Sequence, residues 1–128
     1  MPERLLIDTD VLVDYLRGHP QAVRYLRAQK GPLALSAITV AELYAGVRDG
    51  EEREVLDAFV GIFQVLPVTD ANARQGGLWR RDYGKSHGVG LADAVIAATA
   101  AEAGAVLVTL NQRHFPMSRD IRVPYKKA

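Results

Sequence analysis

Short apolar runs alternate with longer amphipathic stretches along this chain. Residues 4–8, Arg-Leu-Leu-Ile-Asp, hold an apolar run too short for a helix and predict a buried strand. Residues 11–16 read as a helix stopped by Gly18, and Pro20 opens another over 20–30, closed by Gly31-Pro32. A brief strand over 33–35 leads to Ser36, a good N-cap for a helix over 37–47. Residues 51–61 carry the clearest helical stripe: Val55, Leu56, Phe59 and Val60 share a face, with Glu51, Glu52, Arg53 and Asp57 off it. Residues 63–68 predict a strand, and Asp70 caps a long polar helix to about Ser86. A loop over 88–90 precedes a very apolar helix over 91–103, ended by Gly104, and a strand over 105–109. The tail past Asn111 is polar, basic and mostly irregular, with a final edge strand near Arg122-Val123.

Helices alternating with continuously apolar strands predict an α/β, Rossmann-like domain: a central parallel sheet with helices on both faces. A length of 128 residues fits one hydrophobic core, and no repeat or linker divides residues 1–128. Hydrophobic residues at 48% and charged residues at 24% exclude a disordered chain. A net charge of +1 excludes a fold that coats nucleic acid by bulk charge. The absence of cysteine removes disulfides, thiolate zinc sites and cysteine nucleophiles together, and fits a reducing compartment. Three consecutive apolar residues before Asp8 are too few for a secretory leader, and residues 94–103 are too short for a membrane span. The chain reads as cytoplasmic.

Several tempting motifs fail. Gly84-Lys85-Ser86 lacks the phosphate-loop glycine at position 79, which is Trp79, and no strand leads into it. Gly88-x-Gly90 lacks its third glycine, because Asp93 stands there. His19, His87 and His114 fall in separate loops without the i, i+4 partner of a helical zinc site, and read as surface histidines. No Gly-x-Ser-x-Gly elbow is present.

The informative feature is a set of carboxylates among apolar residues. Glu42 is the only charge in helix 37–47, which is apolar on nearly every face and is expected to be buried. Thr39, Ala45 and Gly46 around it are small. Asp93 is the only charge in residues 91–101, and Asp8 ends the first strand with Asp10 two residues on. In a doubly wound sheet, ligands bind beyond the carboxyl ends of the strands. Asp8 and Asn111 lie at that edge, Asp93 opens a helix there, and Glu42 sits about 7.5 Å along a helix leaving it. Two carboxylates ~5 Å apart repel by about 3 kcal/mol at an effective dielectric near 20, so three need a cation or protons. Oxygen donors without His or Cys point to Mg²⁺ or Mn²⁺, and such an ion with water and a phosphate oxygen suits phosphodiester hydrolysis. Each acid also has an ordinary reading: a cap for Asp8 or Asp10, a helix-dipole partner for Asp93, an arginine salt bridge for Glu42, a turn for Asn111. Their joint placement at one edge favours the functional reading.

These residues resemble the PIN-domain ribonucleases, and among them the VapC toxins of prokaryotic toxin–antitoxin pairs. The resemblance covers essentially the whole chain. It rests on Leu6-Ile-Asp8-Thr9-Asp10-Val-Leu, on Ser36-x-Ile-Thr-Val-Ala-Glu42-Leu-x-x-Gly46, on Leu91-Ala-Asp93-Ala-x-Ile-Ala-Ala-Thr99-Ala, and on Leu107-Val-Thr109-Leu-Asn111-x-x-His114-Phe115. It implies that Asp8, Glu42 and Asp93 coordinate Mg²⁺ (or Mn²⁺) for RNA cleavage, with Asp8 and Asp93 the closest ligands. Thr9, Asp10, Thr109 and Asn111 would be accessory. Many members carry a fourth acid near Asn111; the amide here adds no charge, which bears on a second metal. Position 10 is often Asn or Ser in the family, so Asp10 adds outer-sphere charge or only caps. The resemblance further implies a homodimer and a cognate antitoxin whose basic or hydrophobic tail blocks the cleft.

Two basic groups are candidates for phosphate contact: Arg74, Arg80, Arg81 and Lys85 in the long helix, and Arg113, Arg119, Arg122, Lys126 and Lys127 in the tail. An ordinary solvated surface explains either group as well. The enzymatic rival is a haloacid-dehalogenase-like phosphatase with Asp8 as nucleophile, which gives Glu42 no role and wants a later lysine. The other is a PIN-like interaction module without catalysis.

Overall fold

The computed structural model describes residues 3–127. Five parallel strands form one sheet in the order β3-β2-β1-β4-β5: β1 (Leu5–Ile7), β2 (Leu33–Ser36), β3 (Gln64–Leu66), β4 (Val106–Val108) and β5 (Ile121–Arg122). Six α-helices join them: α1 (Thr9–Leu16), α2 (Pro20–Ala28), α3 (Ala37–Ala45), α4 (Glu51–Val60), α5 (Asp70–His87) and α6 (Leu91–Ala103). A single 3-10 turn, Gln112–His114, follows β4.

The alternation of side chains along a strand sorts the core into two layers. Leu5, Ile7, Leu35, Val106 and Val108 face α1, α2 and α4, where Val11, Leu12, Leu26, Leu56 and Phe59 meet them. Leu6 and Leu107 face the other way, toward Ile96, Ala97 and Ala100 of α6 and toward Phe115. Strands β1 and β4 are fully buried because both faces are covered. Helix α5 packs outside α6, and Gly76 allows the close approach: a Cβ there would stand 2.8 Å from Val95 Cγ2.

Three expectations need correcting. Helix α3 is not buried, since Thr39 is its only buried residue while Ala41, Glu42, Ala45 and Gly46 are exposed. Val55 points outward at 55% exposure, leaving Leu56 and Phe59 to carry the α4 stripe inward. Thr69, not Asp70, caps α5, by accepting from Asn72 N.

Strand order fixes where chemistry can sit. From β1 the chain moves outward through β2 to β3, then crosses back to place β4 on the other side of β1. The crevice at the carboxyl ends of β1 and β4 is therefore the topological switch point, the preferred ligand position in such sheets.

Candidate active site

Ile7 of β1 pairs with Val108 of β4, so the next residue on each strand arrives beside its neighbour at that crevice. Those residues are Asp8 and Thr109, both buried, and Thr109 Oγ1 donates to Asp8 Oδ2 at 2.8 Å. Asp8 Oδ1 accepts from Thr9 N at 2.9 Å as the N-cap of α1. The capping role and the site role fall on one carboxylate.

Asp10, in the first turn of α1, ties the helix to the loop after β4. Its Oδ1 accepts from Val11 N at 2.7 Å, and its Oδ2 from Leu110 N and Asn111 Nδ2, each at 3.1 Å. Asn111 thus reaches the crevice but spends an amide N–H on Asp10, and its backbone N–H donates to Thr109 Oγ1 at 3.0 Å. Glu42 arrives from α3, whose start beside β2 is set by Ser36 accepting from Ile38 N. Its Oε1 accepts from Thr9 Oγ1 at 2.7 Å, and that hydroxyl lies 3.2 Å from Thr39 Oγ1. Among the described residues no lysine or arginine pairs with Glu42, so the salt-bridge reading fails. Asp93 sits in the first turn of α6, with His114 Nδ1 at 3.8 Å from its Oδ2.

The acids feel one another. Burial, then the charge of Asp10 and more weakly that of Asp93, pushes the Asp8 carboxyl up to about 8, against the lowering effect of the Thr109 and Thr9 hydrogen bonds. Burial also raises Asp10, although its backbone hydrogen bonds oppose this. Asp93 is raised by burial and by the charges of Glu42 and Asp10, with His114 pulling the other way. Among the described residues no lysine or arginine is a main cause acting on these three. The phosphatase reading thus lacks its lysine beside Asp8.

Among the described residues no three acids or histidines stand close enough together to hold a metal ion as they are placed. The donor chemistry nonetheless suits a hard divalent cation: carboxyl and hydroxyl oxygens, no thiolate, and among the described residues no lysine or arginine paired with Asp8, Asp10 or Asp93, His114 being the one basic group beside Asp93.

Sequence reasoning missed two partners. His114 was assigned to a surface loop, yet the turn after β4 brings it to Asp93 across 21 residues of sequence. Asp14 carries no sequence signal of its own, yet it is buried and holds Tyr125 and Lys127 of the tail. The basic candidates divide. Arg74 pairs with Asp70, Arg81 with Asp82, Arg122 with Glu3 and Lys127 with Asp14. Arg80, Lys85, Arg113, Arg119 and Lys126 are exposed and form no ion pair among the described residues.

The chain matches the PIN domain over residues 5–118. It is 42% identical over 124 residues to ribonuclease VapC10 of Mycobacterium tuberculosis, covering 94% of this chain and 92% of that protein. Ribonuclease VapC19 of the same organism is 43% identical over 124 residues, with 94% and 98% covered. Among solved structures, a toxin–antitoxin complex from Klebsiella pneumoniae contains a chain of similar fold, with a TM-score of 0.83, 25% identity, and 96% and 99% of the two chains covered. With this site at the switch point of a β3-β2-β1-β4-β5 sheet, and with relatives that align along nearly its whole length, the chain belongs to the PIN-domain family and, within it, to the VapC ribonucleases.

Proposed function

We propose that this protein is an endoribonuclease that depends on Mg²⁺ or Mn²⁺ and serves as the toxin of a toxin–antitoxin pair. The observation that carries the reading is that Asp8 and Asp10 are fixed at the crevice, Asp93 lies near enough for its charge to act on Asp8, and among the described residues no lysine or arginine is paired with any of them, in a family whose members are named ribonucleases. Asp8 and Asp93 are the residues to hold the cation, with Glu42 completing the set. Bound there, a divalent ion supplies Lewis-acid stabilisation of phosphate charge and lowers the pKa of a water molecule.

The rest of the site orients those ligands. Thr109 fixes the rotamer of Asp8 through its 2.8 Å hydrogen bond. Thr9 holds Glu42 toward the crevice from the first turn of α1. Asp10 locks the loop after β4 to α1, which keeps Thr109, Asn111 and His114 in register with Asp8. Asn111 and Asp10 are accessory in this scheme.

An antitoxin is the natural protein partner, as in the Klebsiella complex. A groove of 750 Å³ between α1, α3 and α4 offers a place for it: Leu16, Leu43 and Val55 supply an apolar wall, and Glu42, Glu51 and Glu52 stand against Arg17 on the rim, with Glu52 paired to Arg48. That surface matches an apolar segment, and the exposed small residues of α3 lie beside it. We take residues 1–128 as one domain, supported by β5, which extends the sheet past the matched region. No described helix is long and apolar enough to cross a membrane. A homodimer acting on cytoplasmic RNA completes the reading.

Incubation with a structured RNA pool and Mg²⁺ or Mn²⁺ tests it. Cleavage that EDTA and Asp8→Asn both abolish is expected; equal cleavage by Asp8→Asn removes the catalytic assignment.

A further inference from the structure

The tail after β5 is fastened across α1 rather than left in solvent. Tyr125 Oη donates to Asp14 Oδ2 at 2.8 Å and Lys127 Nζ to Asp14 Oδ1 at 2.7 Å, so both oxygens of a carboxylate only 5% exposed are satisfied by the tail. The Tyr125 ring also stacks on His19, with centroids 5.3 Å apart. Helix α1 is the element that Asp8 caps and that carries Asp10. Between the fastened tail and the crevice lies a cavity of 480 Å³, lined by Asp10, Asn111, Tyr125 and Lys126 among others. None of the proposed metal ligands lines it.

Its chemistry identifies an occupant. Asp10, the acid on its wall, already accepts three N–H donors, which blunts its repulsion of an anion. Lys127 is spent on Asp14, whereas Lys126 forms no ion pair among the described residues. An uncommitted ammonium on a clamped segment, lining a cavity whose wall includes Asp10, two residues along the chain from Asp8, is placed for a phosphodiester. We propose that this cavity seats the RNA backbone beside the scissile phosphate, with Lys126 contacting the neighbouring phosphate and the Asp14–Tyr125–Lys127 clamp holding its wall. The inference rests on the ribonuclease reading.

The test uses a synthetic hairpin RNA containing a site that the wild-type protein cuts. Steady-state kinetics are measured at 50 and 200 mM salt. Lys126→Gln raises KM several-fold with kcat retained, and Lys126→Arg restores it. One phosphate contact on a single strand contributes a log–log salt slope of about 0.7, so the kcat/KM gap between wild type and Lys126→Gln narrows roughly threefold over that range. Lys30→Gln is the charge control; Lys30 is exposed in the loop before β2, at the opposite edge of the sheet. Unchanged KM and salt dependence in Lys126→Gln overturn the assignment while wild-type cleavage leaves the ribonuclease reading standing. An equal loss in Lys30→Gln overturns it too, by reducing the effect to net charge. If Lys126→Gln instead weakens only inhibition by the antitoxin, the cavity serves a protein and the proposal falls. A wild-type protein that cuts no RNA removes the ribonuclease reading and this inference together.

Discussion

Replacing Asp8 with asparagine strengthens the metal-free fold. In the native state burial, followed by the charge of Asp10, moves the Asp8 carboxyl from 3.8 to about 8. Between those values the folded protein keeps a proton that the unfolded chain releases. Stability therefore falls as pH rises through this window, by about 1.4 kcal/mol per pH unit from this group. At pH 7 the accumulated penalty is about 4 kcal/mol, an upper bound. Asparagine keeps the side-chain volume and an acceptor for Thr9 N but loses part of the Thr109 hydrogen bond, worth about 1 kcal/mol. The net gain is about 3 kcal/mol, or roughly 10 °C in melting temperature for a chain of this size. Calorimetry in EDTA at pH 5, 6, 7 and 8 measures it. The gap between variant and wild type narrows as pH falls, closes about one pH unit or less above the unfolded value, where the penalty equals the lost hydrogen bond, and reverses below it. A variant no more stable than wild type at pH 7, or a gap indifferent to pH, refutes the electrostatic reasoning.

Other residues yield sharper local tests. Thr109→Val strands Asp8 Oδ2 and Asn111 N without their partner, costs about 1–3 kcal/mol in urea unfolding, and lowers RNA cleavage. Glu42→Gln changes stability by no more than about 0.5 kcal/mol because Glu42 is exposed, while calorimetric titration shows weaker Mn²⁺ binding. Gly76→Ala drives a methyl group into Val95, whose Cα and N would lie 3.0 and 3.1 Å away, and costs about 1–3 kcal/mol of stability in urea unfolding. Burial alone would raise the Asp14 carboxyl, but the hydrogen bonds from Lys127 and Tyr125 prevail and hold it below its ordinary value. Its contribution is present above the unfolded pKa and lost as pH falls through the native one; Lys127→Gln raises the Asp14 value in an NMR titration.

The strands and helices were legible because apolar runs, caps and glycine stops agree along most of the chain. The candidate acids were legible because Glu42 and Asp93 are lone charges in apolar stretches, Asp8 ends an apolar strand, and topology brings strand ends to one edge. The errors share a cause. Apolar composition cannot tell a helix covered by its own domain from one whose face is open, so α3 was read as buried although Ala41 and Ala45 are exposed. Thr69 and Asp70 are adjacent and both competent caps, and only the direction in which the chain enters α5 chooses between them. The contacts of His114 with Asp93, and of Tyr125 and Lys127 with Asp14, join residues 21 to 113 positions apart. No local pattern marks such pairs. Lys127 belongs to a basic stripe by sequence, yet its ammonium sits on a buried carboxylate.

Crystals soaked in Mn²⁺ and measured for anomalous scattering test the metal assignment most directly. The expected result is a strong peak about 2.1 Å from carboxylate oxygens of both Asp8 and Asp93, with Glu42 turned toward it. A map with no peak between those two side chains at saturating Mn²⁺, or with its only peak elsewhere on the surface, contradicts the assignment.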